Sequence, residues 1–333
     1  MKSIILSLSF ICSSALFAAK PVDSVALKLA TYKKVKLTSD LSKLSTEERE
    51  GVKLLIKAAE MVDMAFRSQA YGVNYAVDTV MDPEVIQFMQ INYGPWDRLD
   101  NNKPFVKGAG VKPPGANFYP VDMRQSEFDS LADPKKNSPY TIIVREDGKL
   151  KVVPYSEAYA QFLREAAQSL KIASDFFKDS MFSLYLKSRA EALLSDDYDA
   201  SDRLWLDMKT NRFDIIIGPI ETYEDKLYGI KTAFEAYVLV KDMEWSKRLE
   251  KYIEYLPELQ KGLPVDNKYK EELAGSSSQL NAYDIIYYAG DCNSGSKTIA
   301  VNLPNDEKLQ AEKGTRRSQF KNTIKAKFDY IML

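Results

Sequence analysis

Only two cysteines occur among the 333 residues, and their positions limit how the fold can be held together. Cys12 lies in an N-terminal segment typical of an export signal, in which a lysine precedes a short apolar stretch, residues 4–17, and Ala18-Ala19 offers a cleavage site. Once residues 1–19 are removed, Cys292 is the only cysteine, so an internal disulfide is excluded. We therefore expect a periplasmic or secreted protein whose fold depends on a packed core, for which a hydrophobic content of 45% is sufficient.

The sequence contains no histidine, and this excludes several kinds of active site. A Ser-His-Asp triad, a Cys-His pair and a His-Glu-x-x-His zinc site all require histidine from the chain. Carboxylates and one thiol are a poor set of zinc ligands, so we expect this chain alone to supply no catalytic residue and to bind no metal. A net charge of -1 favours neither nucleic-acid binding nor, after signal removal, attachment to an anionic membrane.

Two helices are predicted in the first third of the chain. Ser45 and Glu48 have the spacing of a capping box, and a helix should run from there to about Tyr71. The apolar residues that recur at helical spacing behind the box are Val52, Leu55, Ile56, Ala59, Val62 and Phe66. Asp82-Pro83 begins a second, short helix. Residues 94–120 are punctuated by proline and glycine, which predicts a long ordered loop anchored by aromatic side chains.

Short apolar runs predict strands in the rest of the chain. Residues 141–144 and 150–153, with Asp147-Gly148 between them, indicate a β-hairpin. Further strands are expected at residues 213–217, 234–240, 282–288 and 298–303.

Helices are expected between and after these strands. The predicted segments are residues 155–194, 243–255 and the region from Lys308 onward, with a polar linker at 264–278. In the last of these helices, Phe320, Ile324 and Phe328 would form one apolar stripe. The chain stops on an apolar run, residues 330–333, and we expect such an end in a truncated sequence.

Three polar segments are candidates for binding or catalysis. Residues 218–225 follow a predicted strand and contain three carboxylates and a tyrosine, which could bind a cation or an ammonium group, act as an acid–base pair, or form a solvated turn. Cys292 has no histidine to activate it, so an inert thiol is favoured over a nucleophile. Asn302 and Asn305 place two amides at a strand end, where they could pair with an extended peptide or, for Asn305, cap the next helix.

Several segments, taken together and in this order, resemble the dipeptidyl peptidase III family of zinc metallopeptidases. They are NYGPWDRLD at residues 92–100, KPPGANFYP at 112–120, GPIETYED at 218–225, YAG at 288–290 and NLPN at 302–305. The resemblance covers most of the chain from about Lys53 to Leu333. It is strongest to the bacterial exported branch and extends to the peptidase-like portion of some plant nudix proteins.

The resemblance implies an α+β fold of two lobes around a cleft. This chain would form a helix-rich lobe with a small mixed or antiparallel β-barrel, and would end before the helical lobe that binds zinc. The expected division is a signal peptide at 1–19, helices and loops at 20–139, a barrel-containing peptide-binding region at 140–305, and the start of a truncated helix at 306–333. The family's zinc motif, His-Glu followed shortly by His, lies C-terminal to all the matched segments.

The resemblance also implies a function, the removal of dipeptides from the N-terminus of short peptides. In the complete protein, zinc and a glutamate would activate water, whereas the present residues would bind the peptide as an added strand. Glu221 would hold the peptide ammonium group, with Tyr223, Asn302 and Asn305 alongside, and Gly290 would lie where the peptide backbone approaches closely. The chain would thus be the N-terminal, substrate-binding part of an exported zinc-dependent peptidase.

The sequence also departs from the family pattern, and two other interpretations stay open. The common Glu-Ser-Tyr-Arg-Asp-Pro reads ETYEDK at 221–226, Phe-Glu-Gly reads FEA at 234–236, and the glycine-rich loop reads DCNSGS at 291–296. One alternative is a non-catalytic periplasmic peptide-binding module. The other is a hydrolase that uses carboxylates alone, with Glu221 and Asp225 as acid and base about 5–10 Å apart.

Overall fold

The computed structural model describes residues 24–72, 82–270 and 279–332. The predicted signal peptide and its cleavage site lie outside these residues, as does part of the predicted polar linker.

The α-helices are α1 Ser24–Ala30, α2 Thr46–Ala70, α3 Pro83–Asn92, α4 Gln125–Ser130, α5 Tyr155–Ala158, α6 Ala160–Ala173, α7 Ser180–Ser195, α8 Asp199–Asp207, α9 Met243–Ile253, α10 Leu256–Lys261, α11 Glu307–Lys313 and α12 Lys321–Lys327. The strands are β1 Trp96–Asp97, β2 Lys103–Pro104, β3 Thr141–Glu146, β4 Lys149–Pro154, β5 Phe213–Glu221, β6 Ala233–Lys241, β7 Gln279–Gly290, β8 Ala300–Leu303 and β9 Arg316–Phe320. None of the helices in the described ranges is long and apolar enough to cross a membrane.

The long helix α2 begins and ends where the sequence predicts. The Ser45 hydroxyl accepts from the backbone N–H of Glu48 at 3.1 Å, and the Glu48 carboxylate accepts from the backbone N–H of Ser45 at 2.8 Å. This confirms the capping box. The apolar face packs against α6 and β6, and Ile56 alone among the six residues of the predicted stripe keeps partial exposure. Burial of each large apolar side chain contributes about 1.5–3 kcal/mol, so this face rather than the cap holds the helix in place.

Five strands form one curled, mixed sheet in the order β5-β6-β7-β9-β8. Neighbouring strands are antiparallel, except that β7 and β9 are parallel. The edges of the sheet in the described residues are β5 and β8, and their ends are linked where the Asn305 side-chain amide donates to the Ile220 carbonyl at 3.2 Å. The sheet is therefore a half-barrel packed against helices, which confirms the predicted α+β class.

The strand β9 corrects the prediction of a continuous helix from Lys308. Its buried residues are Arg316, Ser318 and Phe320, which alternate with partly exposed ones as in a strand. Arg316 is fully buried because its guanidinium donates to Asp214 at 2.9 Å and to two backbone carbonyls, those of Trp205 and Met208. Arginine and serine usually face solvent, so their alternation does not indicate a buried strand in the sequence.

The predicted helix over residues 155–194 is divided into shorter helices. The largest break, at residues 174–179, lies between α6 and α7 and begins with a single 3-10 turn, Ser174–Phe176. The Asp179 carboxylate caps α7 there by accepting from two backbone N–H groups. Phe177 turns into the core at this break, with its ring 4.9 Å from those of Phe182 and Phe213. The burial of one aromatic ring and a good cap together outweigh the helical continuity that the pattern suggests.

Two local predictions have different outcomes. The β-hairpin is confirmed as β3 and β4, with Asp147 and Gly148 both at positive φ as a tight two-residue turn requires. The suggestion that Asn305 caps the next helix is wrong, because Asp306 caps α11 and accepts from the backbone N–H of Leu309 at 2.7 Å. The Asn305 side chain is thereby left to its contact with β5.

Candidate functional site

The predicted ammonium site lies where the two edge strands of the sheet end. β5 extends beyond its predicted stop and carries Glu221, half-buried, as its last residue. Tyr223 follows it and is 71% exposed, so its ring and hydroxyl are free to meet a ligand. On the other edge, Asn302 and Asn305 are both exposed, and Asn305 contacts the residue that precedes Glu221. The structure thus places Asn305 against the end of β5 that carries Glu221, and a shared role of the predicted residues in binding stays a prediction.

A pocket of about 100 Å³ opens between the ends of β5 and β8. Its lining residues are Tyr140, Tyr185, Arg189, Tyr198, Asp202, Trp205, Ile216, Ile217, Pro219, Ile220, Leu303, Pro304, Asn305 and Asp306. The guanidinium of Arg189 donates to Asp202 and lies between the rings of Tyr185 and Tyr198, 5.4 and 5.3 Å away. No motif within residues 218–225 indicates these side chains, because they lie on α7, on α8 and at Tyr198 directly before α8. The pocket extends the site with a mixed apolar and polar wall beside Asn305.

The fifth predicted residue, Gly290, has a structural explanation of its own. Its φ is 74° and its ψ is −143°, a region that residues with side chains rarely adopt. A Cβ placed there would lie 2.2 Å from the carbonyl oxygen of Phe234 on the neighbouring strand. The Gly290 N–H donates to the Asp63 carboxylate at 2.8 Å. The close approach is therefore made by β6, and a role in contact with the peptide stays a prediction.

Asp63 connects three parts of the molecule at this corner. Besides Gly290, its carboxylate accepts from the hydroxyl of Tyr93 and from the guanidinium of Arg67, the latter at 2.9 Å. The side-chain amide of Asn293 donates in turn to the Tyr93 hydroxyl at 2.8 Å. The NYGPWDRLD segment thus braces the loop after β7 through its tyrosine.

The departure from the family pattern at Glu224 is explained by ion pairs. Glu224 is 3% exposed. Its carboxylate accepts from both terminal nitrogens of Arg98, at 2.6 and 3.2 Å, and from the Lys112 ammonium at 2.5 Å. Burial alone would raise the pKa of Glu224, but Arg98 and Lys112 hold it below its usual range. Both cations come from the long loop at 94–120, so Glu224 fastens this loop to the end of the sheet and does not face a ligand.

Asp225 is not available as a catalytic acid or base. It is 2% exposed, and its two oxygens accept from the Tyr119 hydroxyl and from four backbone N–H groups, those of Leu227, Tyr228, Ile230 and Lys231, at 2.8–3.1 Å. A carboxylate with this number of donors shapes the turn after β5. The hydrolase that uses carboxylates alone is therefore contradicted, because it requires Asp225 to face a cleft beside Glu221.

Two further carboxyl groups lie beside the predicted ammonium site. Glu235 on β6 pairs in register with Gly218 of β5 and Gly290 of β7, and Asp291 follows β7 directly. Burial raises the pKa of Glu235 well above its usual range, and the nearby Asp291 and Glu221 raise it further. Burial also raises the pKa of Asp291 to about 6, with Glu224 adding to the shift and Arg98 opposing it. The signal in the sequence is a lone glutamate in the apolar run of β6, where the FEA segment at 234–236 stands in place of the family's Phe-Glu-Gly.

Comparisons with known proteins agree with the fold. The model of peptidase family M49 matches residues 127–331. A solved structure of DPP III from Caldithrix abyssi has a TM-score of 0.86 and 38% identity over 92% of this chain and 61% of that one. DPP III from Corallococcus sp. strain EGB has a TM-score of 0.83 and 35% identity over 91% of this chain and 59% of that one. Nudix hydrolase 3 of Arabidopsis thaliana is 30% identical over 93% of this chain and 48% of its own length.

The fold and the matched residues are those of the DPP III family. The chain belongs to peptidase family M49. It spans about half the length of the plant relative and about three fifths of the two solved structures. Peptidases of this family depend on zinc in general and act on peptides. Within residues 24–72, 82–270 and 279–332, no group of three or more His, Cys, Asp or Glu side chains could hold a metal ion, so the described residues do not fit zinc.

Proposed function

We propose that this chain supplies the peptide-binding part of an exported, zinc-dependent dipeptidyl peptidase. The observation that carries the proposal is the open edge of β8, which pairs with β9 on one side and ends beside Glu221. An edge strand offers unpaired backbone groups to an extended peptide. The two DPP III structures support the activity through their similarity over more than nine tenths of this chain. Export is supported by the signal-like residues 1–19.

The predicted residues have complementary roles toward a peptide N-terminus. A peptide strand added to β8 would receive backbone hydrogen bonds along Ala300–Leu303, and the Asn302 amide, which is exposed there, can pair with its backbone. The ammonium group at its end would lie near the Glu221 carboxylate. A charge-assisted hydrogen bond of this kind contributes about 1.5–3 kcal/mol. Tyr223 and Asn305 would close the site from either side.

Zinc enters this proposal only through the family. It would polarise the scissile carbonyl and lower the pKa of bound water when present. The described residues offer no fitting ligand set, so no step is assigned to zinc through them. Their contribution is to bind the peptide and to fix its N-terminus.

The test is a cycle of Glu221→Gln and peptide acetylation, measured by calorimetry. Tetraalanine should lose about 1.5–3 kcal/mol of binding free energy with the variant, and N-acetyl-tetraalanine should lose a similar amount with the unaltered chain. The two changes together should add little, because both remove the same ion pair. Glu146→Gln, at the exposed end of β3, is the matched control and should leave the binding free energy of tetraalanine unchanged. Additive losses would show that Glu221 does not hold the amine, and no binding of tetraalanine at all would contradict the proposed function.

A further inference from the structure

Glu235 is a buried carboxyl group whose hydrogen bonds do not support a negative charge. It is 2% exposed, and its Oε1 lacks a hydrogen-bond partner while its Oε2 accepts from the Tyr237 hydroxyl at 3.1 Å. An ionised carboxylate with one unpaired buried oxygen is costly, whereas a neutral carboxyl group is far less so. The geometry therefore favours the protonated form in the free protein.

The surroundings of Glu235 act in the same direction. Two acids lie close to it, Glu221 at the end of β5 and Asp291 after β7, and both raise its pKa beyond the effect of burial. The hydrogen bond from Tyr237 lowers it, and so does the nearby backbone N–H of Cys292. The other titratable or charged groups at this corner are Asp63, Arg67, Tyr93, Arg98, Lys112, Tyr223, Glu224, the Cys292 thiol and Lys297. Of the cations, Arg98 and Lys112 are held by Glu224, Arg67 pairs with Asp63, and Lys297 donates to the Asn293 carbonyl, so none of them forms an ion pair with Glu235 in the described residues.

A peptide ammonium group would change this balance. It would bring one positive charge next to Glu221, within the same group of acids that keeps Glu235 neutral. An opposite charge nearby favours the ionised form of a carboxyl group and lowers its pKa. The free energy of binding and the proton on Glu235 are then linked, since each affects the other equally.

We propose that binding of a peptide N-terminus at Glu221 releases the proton held by Glu235. The O–H bond of the Glu235 carboxyl group breaks, its electron pair stays on the carboxylate, and the proton passes to the solvent buffer. The site then holds two carboxylates against one ammonium group and the positive charges around Asp291. This inference rests on the proposed function, because it requires the ammonium group to bind beside Glu221.

The linkage is measured by calorimetry of tetraalanine binding at pH 7.0 in buffers of different ionisation enthalpy. We expect about 0.5–1 proton released per bound peptide, the one-proton limit of linkage. The peptide amine, with a pKa of about 7.7–8.0, takes up only a small fraction of a proton, which has the opposite sign. Glu235→Gln should abolish the release, and so should N-acetylation of the peptide. Asp291→Asn should retain most of it, since this carboxyl group is already largely ionised at pH 7.0.

The variants and an infrared spectrum distinguish Glu235 from other sources of the released proton. Equal proton release by Glu235→Gln would overturn the assignment to Glu235, and so would loss of the release in an Asp291→Asn variant in which Glu235 is still protonated. Infrared spectroscopy of the free chain tests the protonation without any peptide, because the carbonyl band of a neutral carboxyl group should disappear in Glu235→Gln. If that band is absent from the unaltered chain while tetraalanine binds, the inference fails and the proposed function stands. If tetraalanine does not bind, both the linkage and the proposed site fail, whatever the infrared result.

Discussion

Replacing Gly290 by alanine tests the close approach of β6 and β7 at the site. The new Cβ would lie 2.2 Å from the Phe234 carbonyl oxygen and 2.9 Å from the Cα of Glu235, and backbone atoms cannot move aside as a side chain can. Overpacking of this kind costs about 1–3 kcal/mol. The backbone angles of Gly290 add about 1–3 kcal/mol of strain for any residue with a side chain. The unfolded chain loses about 0.4–1 kcal/mol of entropy in return, so Gly290→Ala should destabilise the fold by about 2–5 kcal/mol.

Gly148→Ala is the matched control for this substitution. Gly148 has nearly the same φ, 75° against 74°, but nothing lies within 4 Å of a Cβ placed there, at the tip of the β3–β4 hairpin. The positive φ costs about 1–2 kcal/mol, and the gain through the unfolded state offsets part of it. We therefore expect a loss of about 1 kcal/mol or less. The difference between the two variants isolates the contact with β6 and the additional backbone strain.

Urea unfolding followed by circular dichroism would measure both free energies of unfolding. Equal losses for Gly290→Ala and Gly148→Ala would refute the close contact between the strands. A stable Gly290→Ala variant that no longer binds tetraalanine would instead support a direct approach of the peptide to this glycine. A loss of stability thus indicates the contact with β6, and a loss of binding in a stable variant indicates contact with the peptide.

The ion pairs of Glu224, the burial of Asp291 and the N-terminal segment can each be tested separately. Glu224→Gln should lower the free energy of unfolding by about 3–5 kcal/mol, because it leaves the largely buried cations of Arg98 and Lys112 without their partner. A loss below about 1 kcal/mol in urea unfolding would contradict this ion-pair role. The pKa of Asp291 rises from 3.8 to about 6 on folding, so this carboxyl group ionises at lower pH in the unfolded chain, and the free energy of unfolding should fall between about pH 4 and pH 6 and stay flat above. Asp291→Asn should remove this slope in pH-dependent thermal unfolding. An unchanged slope would show another group to be responsible. The exported form should begin near Lys20, and intact-mass measurement that still finds Met1 would contradict the signal-peptide prediction.

Local signals in the sequence predicted much of the secondary structure. The capping box at Ser45 and the helical spacing behind it place α2, and Asp147-Gly148 places the hairpin turn, because these patterns involve residues a few positions apart. The matched segments also predicted the family and the α+β class. That prediction rested on the order of the segments along the chain, and the family model and the solved structure then confirmed the family.

The site depends on partners that are distant in sequence. Glu224 and Asp225 are adjacent acids of one motif, and the sequence offered both as possible site residues together with Glu221. Only the fold shows that Glu224 pairs with cations more than 100 positions away, and that Asp225 is saturated by the turn it organises. Glu235 likewise looks like one polar residue in an apolar strand until β5 and β7 bring other acids beside it.

The sequence by itself determined the residue types: a chain without histidine, a single cysteine after the predicted cleavage, acidic and amide groups at strand ends, and helices with one apolar face. The tertiary structure decided which of those polar groups are buried, which are paired, and which stay open to a ligand. The physical reason is that the electrostatic environment of a carboxyl group depends on its burial and on every charge within several ångströms. Those neighbours come from the folding of distant segments onto one sheet, and no local pattern along the chain specifies them.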